Sequence, residues 1–155
     1  MMTISREVMR WTLIGLEVFT FIMAVYGSLS MLLDATGFGL KEEWLHGSPF
    51  TDYRIPALGL LVGVGGSSFL AASALVWARR PWGAILSIVA GVILVVFEIV
   101  ETYSIGMRSF QQPLMGVFGL FMAGMGLVLW DWRNKAGRFH AERQHLKPGD
   151  AVRMG

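Results

Sequence analysis

Apolar residues along this chain come in four long runs, and most charges fall in the breaks between them. The runs cover residues 11–33, 56–78, 82–103 and 114–132. The hydrocarbon core of a bilayer is ~30 Å thick and asks for ~20 apolar residues in a helix, because lipid offers exposed amides and carbonyls no hydrogen-bond partner. Each run is close to that length. The pattern therefore predicts an all-α fold, a transmembrane four-helix bundle. Pro56 and Pro113 sit where the second and fourth runs begin, in first turns that need no proline N–H. Arg79, Arg80 and Pro81 separate the second and third runs, which predicts a tight antiparallel hairpin. All six tryptophans (Trp11, Trp44, Trp77, Trp82, Trp130 and Trp132) fall near run ends, as in the aromatic belts of membrane proteins.

The connections carry their own pattern. Residues 34–55 make a loop too long for a bare link in a compact protein. Its centre, Leu40 to His46, sets Leu40, Trp44 and Leu45 against Lys41, Glu42 and Glu43, which predicts a short amphipathic helix lying on the membrane or over the bundle mouth. Basic residues are unevenly placed. Ten (Arg6, Arg10, Arg79, Arg80, Arg133, Lys135, Arg138, Arg143, Lys147 and Arg153) fall on one side, and three (Lys41, Arg54 and Arg108) on the other. The positive-inside rule then places both termini in the cytoplasm of a cell with this chain in its plasma membrane, the 34–55 and 104–112 segments facing outward. Residues 1–132 are expected to form the membrane domain and 133–155 a basic cytoplasmic tail. In that tail Trp132, Phe139 and Leu146 recur every seven positions, suiting a helix that lies on anionic lipid.

Composition narrows the function classes. Of 155 residues, 54% are hydrophobic and 15% charged, against ~25% charged in soluble domains. A net charge of +2 gives no footing for a nucleic-acid partner. With no cysteine, disulfides, thiolate metal sites and dithiol redox chemistry drop out. His46, His140 and His145 all lie outside the apolar runs, which excludes an intramembrane bis-histidine haem. No H-E-x-x-H, G-x-x-x-x-G-K-[ST] or G-x-S-x-G motif occurs. The expectation is a chain with no catalytic residues, no metal and no resident cofactor, with room left for quinone or lipid as a ligand.

Ionisable groups inside a span cost ~2.5–3.5 kcal/mol at the membrane centre on insertion scales and are functional candidates by default. Glu17 lies ~9 Å above the inner end of the first span. Thr20, Ala24, Gly27, Ser28 and Met31 share its helical face, so Glu17 is expected to point into the bundle. In the third span Gly83, Ser87, Gly91, Leu94, Glu98 and Glu101 occupy one arc. The second span offers Gly59, Gly63, Ser67 and Ala71, also four apart, so the two are expected to pack small face on small face. Glu98 and Glu101 would then emerge at the outer mouth, within reach of Arg54, Arg108 or His46. Glu17 and Glu98, ~15 Å apart along the membrane normal, are too distant for paired-carboxylate chemistry. The bland reading of Glu98 is an ion pair with Arg54 or Arg108. That of Glu17 is a carboxyl tied to a neighbouring helix, or to Arg10 through water. The sharper reading of either is a proton or cation site.

Gly47-Ser48-Pro49-Phe50, Asp52-Tyr53 and Ile55-Pro56, followed by Val64-Gly65-Gly66-Ser67-Ser68, resemble a family of four-span bacterial membrane proteins. Leu33-Asp34, Gly37 to Leu40, Gly106 and Gln112-Pro113-Leu114 fit the same pattern. The resemblance covers most of residues 25–130 and implies the four-span fold without an activity. In layout alone the chain also resembles DoxX-like proteins, some of which accompany oxidoreductases and contact quinone. Three functions are thus expected, in this order: a non-catalytic accessory subunit joined to other membrane chains or to itself; a binder of quinone or another hydrophobic ligand beneath the 34–55 loop, anchored by Glu98 or Arg54; and a small proton-coupled transporter using Glu17.

Overall fold

The computed structural model describes residues 2–34, 40–77 and 82–145, with backbone alone for residues 2–5, 34 and 133–145. Four helices account for nearly all of them: α1 (Met2–Asp34), α2 (Arg54–Trp77), α3 (Trp82–Ile105) and α4 (Gln111–His145). No strand occurs among the described residues. Each helix contains a stretch long and apolar enough to cross a membrane. Only 22–33% of the most apolar window of each is buried inside the bundle. Leu33, Val62, Leu70, Ile99, Leu120 and Phe121, among others, face outward. A surface this apolar suits hydrocarbon and not water, which marks a multi-pass membrane protein.

The helices run alternately up and down, each against its neighbour in sequence, with α1 and α4 closing the ring. Leu13, Glu17, Thr20, Ala24 and Ser28 form the buried stripe of α1, the face on which Glu17 was placed by its spacing. On α3 the stripe is Gly83, Ala84, Ser87, Ala90, Gly91 and Leu94. On α4 it is Met115, Gly119, Met122, Gly126 and Leu129.

The closest helix contact differs from the expected one. Gly59 looks onto the Phe97 ring and Gly63 onto Ile93, each at 3.8 Å from where a Cβ would stand. The α2–α3 contact is therefore small residue against large over that stretch, although Gly83 does lie tight against Leu75. Backbone-to-backbone approach occurs instead between α3 and α4. A Cβ on Gly91 would stand 2.5 Å from the Gly119 carbonyl oxygen and 2.6 Å from the Ala123 nitrogen. One on Gly126 would stand 2.9 Å from the Ala84 carbonyl oxygen. Both partners in each pair are seven residues from the next, the repeat that keeps one seam facing its neighbour.

In α2, residues Gly59–Gly65 form a π-helical stretch between α-helical turns at Arg54–Leu58 and Gly66–Trp77. The Gly66 N–H reaches back five residues to the Leu61 carbonyl. Four glycines in eight positions leave the backbone free of the side-chain packing that would resist this wider turn. The Ser67 hydroxyl donates to the Gly63 carbonyl at 2.6 Å and supports the loosened ladder. Such stretches recur at functional sites, and this one borders the cavity described below.

Helix ends extend beyond the apolar runs. α4 passes Trp132 without a break, so the expected boundary between membrane domain and tail falls inside a continuous helix. Among the described residues of the long connection, the stretch expected to form a short amphipathic helix holds a four-residue 3₁₀ turn, Glu42–Leu45. Gly47, at φ 90°, ends it after one turn. Leu45 alone of its four residues is buried. Arg79, Arg80 and Pro81, Gly37 to Gly39, and residues 146–155 lie outside the described residues, as do the side chains of the expected tail stripe beyond Trp132.

Candidate functional site

A cavity of about 270 Å³ opens at the end of the bundle that carries the 40–53 connection. Its floor and walls come from Thr20, Ala24, Gly27, Leu60, Val64, Leu94, Phe97 and Met115. Leu40 and Trp44 reach over it from the connection, and Glu98, Glu101, Arg108 and Gln112 supply its polar side.

Each polar group has a traceable local cause. Gln112, 5% exposed, sits in the first turn of α4 and gathers the α3–α4 turn around itself. Its side-chain oxygen accepts from the Arg108 N–H at 2.8 Å and the Ser109 N–H at 3.3 Å. Its amide nitrogen donates to Glu101 at 3.2 Å and to the Gly106 carbonyl at 3.3 Å. Gly106 turns the chain there at φ 75°. Arg108 donates from Nε to the Ile105 carbonyl at 2.8 Å and lies 5.1 Å over the Trp44 ring, tying the turn to the cavity roof. Across the mouth, the Tyr53 hydroxyl donates to the Lys41 carbonyl at 2.7 Å. Burial, with the Glu101 and Glu42 carboxylates adding to it, pushes the Tyr53 phenol above its usual value.

Glu98 lines two spaces. Besides the cavity it borders an open groove of about 500 Å³ on the outer surface between α3 and α4, with Val95, Ile99, Gln112, Pro113, Gly116 and Leu120. One of its carboxylate oxygens is buried without a hydrogen-bond partner. A smaller apolar crevice of about 50 Å³, lined by Met31, Leu45, Phe50, Tyr53 and Phe97 among others, adjoins Glu101.

The expected ion pairs are absent from the described residues: Glu101 pairs with the neutral Gln112, and Glu98 has no basic partner. Arg54 is exposed and lines neither cavity nor groove; its backbone N–H donates to Asp52 Oδ1 at 2.9 Å. His46 is exposed as well and lies apart from the cavity lining. His46 lies in the exposed connection and Arg54 at the exposed first turn of α2, so lying toward the same end of the bundle as Glu98 does not bring either to it. Arg108 reaches the cavity but is held by Ile105 and Trp44. Trp44 lies at the mouth, one of the two places expected for it, whereas Gln112 carries much of the mouth without having stood out as a site residue. A glutamine beside a proline at a span entrance was the one available signal for Gln112.

Glu17 lies in a different environment, one turn below the cavity floor. It is 0% exposed, as are Ser68 of α2 and Ser87 of α3. The Ser87 and Ser68 hydroxyls lie close enough to act on its carboxyl, yet none of these four oxygens meets hydrogen-bond geometry with any partner. Above it, the Thr20 hydroxyl points to the Met122 sulfur at 3.6 Å. Arg10, two turns below Glu17 on the same helix, pairs with Glu7 at 3.7 Å and stacks on Trp11 at 5.5 Å. Ser67 caps α2 carbonyls and Ser87 faces Glu17, so neither serves only as a small packing residue.

No group of three or more metal-ligating side chains of the His, Cys, Asp and Glu types occurs among the described residues. Comparison with family models, curated proteins and solved structures finds no match for this chain.

Proposed function

We propose that the chain is a membrane-embedded binder of an amphiphile whose head donates hydrogen bonds or carries positive charge. One observation carries this reading: Glu98 borders both a largely apolar cavity and a groove open to the bundle's lipid-facing side, with no basic side chain paired to it. A carboxylate in low dielectric without a partner is costly, and a donor head would offset that. At about 270 Å³ the cavity is at the small end of ligand pockets, ~300–1,000 Å³. It suits a ring-sized head, with the hydrocarbon tail leaving through the α3–α4 groove. Quinols and amine-bearing lipids have this form. The uneven placement of basic residues orients the cavity outward in the plasma membrane, with both termini cytoplasmic.

The test is to purify the chain in mild detergent, extract it with organic solvent, and identify the extract by mass spectrometry against bulk lipid. An amphiphile enriched with the native chain and lost from Glu98→Ala supports the reading. An extract matching bulk lipid in both overturns it.

A second reading, a non-catalytic subunit associated with another membrane chain or a second copy, draws on α4. There a Cβ on Gly116 or Gly124 would meet nothing within 4 Å, leaving room for another helix to approach. A monodisperse monomer with no co-purifying protein counts against it.

A further inference from the structure

Glu17, Ser68 and Ser87 come from three different helices and are each 0% exposed. The two hydroxyls lie within interaction range of the carboxyl, and none of the four oxygens has the alignment of a full hydrogen bond or a partner outside the group. Buried polar groups are nearly always satisfied, and an orphan carboxyl inside a membrane bundle is among the most expensive. Three buried polar side chains converge on one point with no partner outside their own group, and they need a common explanation. Charged residues elsewhere on the surrounding helices do not supply it. Arg10 on α1 is engaged with Glu7 and Trp11. Arg54 of α2 stands at the opposite, exposed end. Glu98 of α3 lines the cavity, and Asp131 of α4 is exposed beyond the core. Only the Ser87 and Ser68 hydroxyls act on the Glu17 carboxyl.

We propose that Glu17, Ser68 and Ser87 form a binding site for a dehydrated monovalent cation, Na⁺ or H⁺, reached from the cavity past Thr20. The chemistry shared by both ions is a bare positive charge that neutralises the carboxylate. Na⁺ takes hard oxygen ligands, and a carboxylate with two hydroxyls supplies them. A proton instead lets the carboxyl donate to one hydroxyl and accept from the other. Access is set by Thr20, which is 2% exposed, lines the cavity floor and stands one turn above Glu17. Its hydroxyl is held by nothing stronger than the Met122 sulfur. The site does not depend on what occupies the cavity above it.

Two measurements on the full chain in lipid nanodiscs test this. The first follows thermal unfolding as NaCl replaces choline chloride at constant ionic strength. Sodium binding raises the midpoint in the native chain, leaves Glu17→Gln unmoved, and shifts the half-effect about tenfold in Ser68→Ala or Ser87→Ala, as loss of one ligand bond near 1.4 kcal/mol requires. The second follows the infrared carbonyl stretch of a protonated carboxyl. Proton binding gives a band absent from Glu17→Gln that shifts in D₂O and moves in frequency in the serine variants. Either response supports the site and names its ion. Indifference to Na⁺ together with no Glu17 band, or with a band that does not exchange in D₂O, overturns it. If Glu17→Gln does not fold, the two serine variants, which keep the carboxyl, decide between the same outcomes.

Discussion

Replacing Gly91 with alanine inserts one methyl group where α3 and α4 touch backbone to backbone. The new Cβ would lie 2.5 Å from the Gly119 carbonyl oxygen and 2.6 Å from the Ala123 nitrogen. Ordinary contact begins at 3.4 Å, so the helices must separate by about 0.9 Å locally. Neither obstacle is a flexible side-chain tip that could swing aside. A gap of 0.5–1 Å forfeits roughly a quarter to a half of each dispersion contact, and the neighbouring Gly119–Val95 and Gly126–Ala84 contacts open with it. Overpacking of this kind costs ~1–3 kcal/mol. The better helix propensity of alanine returns at most ~1 kcal/mol. The net loss should be about 1–2 kcal/mol, read as a lowered midpoint in thermal or denaturant unfolding in detergent. Gly124→Ala on the same interface helix is the control: its Cβ meets nothing within 4 Å, so it should be neutral or mildly stabilising. Gly119→Ala should destabilise as Gly91→Ala does, and the double variant should fall short of the sum because the first methyl has already parted the helices. If Gly91→Ala and Gly124→Ala unfold alike, the close approach of α3 and α4 is refuted.

Three further outcomes follow from the cavity mouth. Gln112→Ala removes the side chain that holds the Arg108 and Ser109 amides; their hydrogen exchange should speed up and stability fall by ~1–3 kcal/mol, and unchanged exchange contradicts the role given to Gln112. Tyr53→Phe breaks the 2.7 Å bond to the Lys41 carbonyl and should expose the 40–53 connection to protease, at a cost of ~0.5–1.5 kcal/mol. Because the folded-state value of Tyr53 is raised from 10.0, the folded chain keeps this proton longer than the unfolded chain does. Its contribution is therefore complete below pH ~10 and lost as pH rises further; a native-minus-Tyr53→Phe difference in unfolding midpoint that does not shrink at alkaline pH contradicts this.

Much of the architecture was readable because membrane solvent imposes a simple code. Run length alone gave four spans, and the position of Thr20, Ala24 and Ser28 around Glu17 was enough to turn that residue inward. The helical arc through Gly83, Ser87, Gly91 and Leu94 likewise became the buried face of α3. The choice of partner for that face was not readable. Glycines four apart occur on α2, and glycines on α4 are spaced seven apart at Gly119 and Gly126, so spacing marks a surface fit for close approach without saying which helix approaches. The loop was harder still. Leu40 to His46 has an amphipathic pattern, yet too few residues separate it from Gly47 for helical propagation to repay the first turn. Arg54 and His46 were plausible partners for Glu98 because all three fall toward the same end of the spans, but a loop residue and a helix-entry residue are placed by turns whose directions no periodicity records.

The chain's own order of residues determined that four helices exist, where each apolar stretch lies, and which stripe of α1 and α3 turns from lipid, since backbone polar groups in hydrocarbon must be satisfied within the segment. Tertiary structure decided what those stripes meet. It brought Ser68 and Ser87 to Glu17, set Gln112 rather than an arginine against Glu101, and opened Glu98 to cavity and groove alike, because contacts between residues distant in sequence depend on helix register and packing that only the assembled bundle defines.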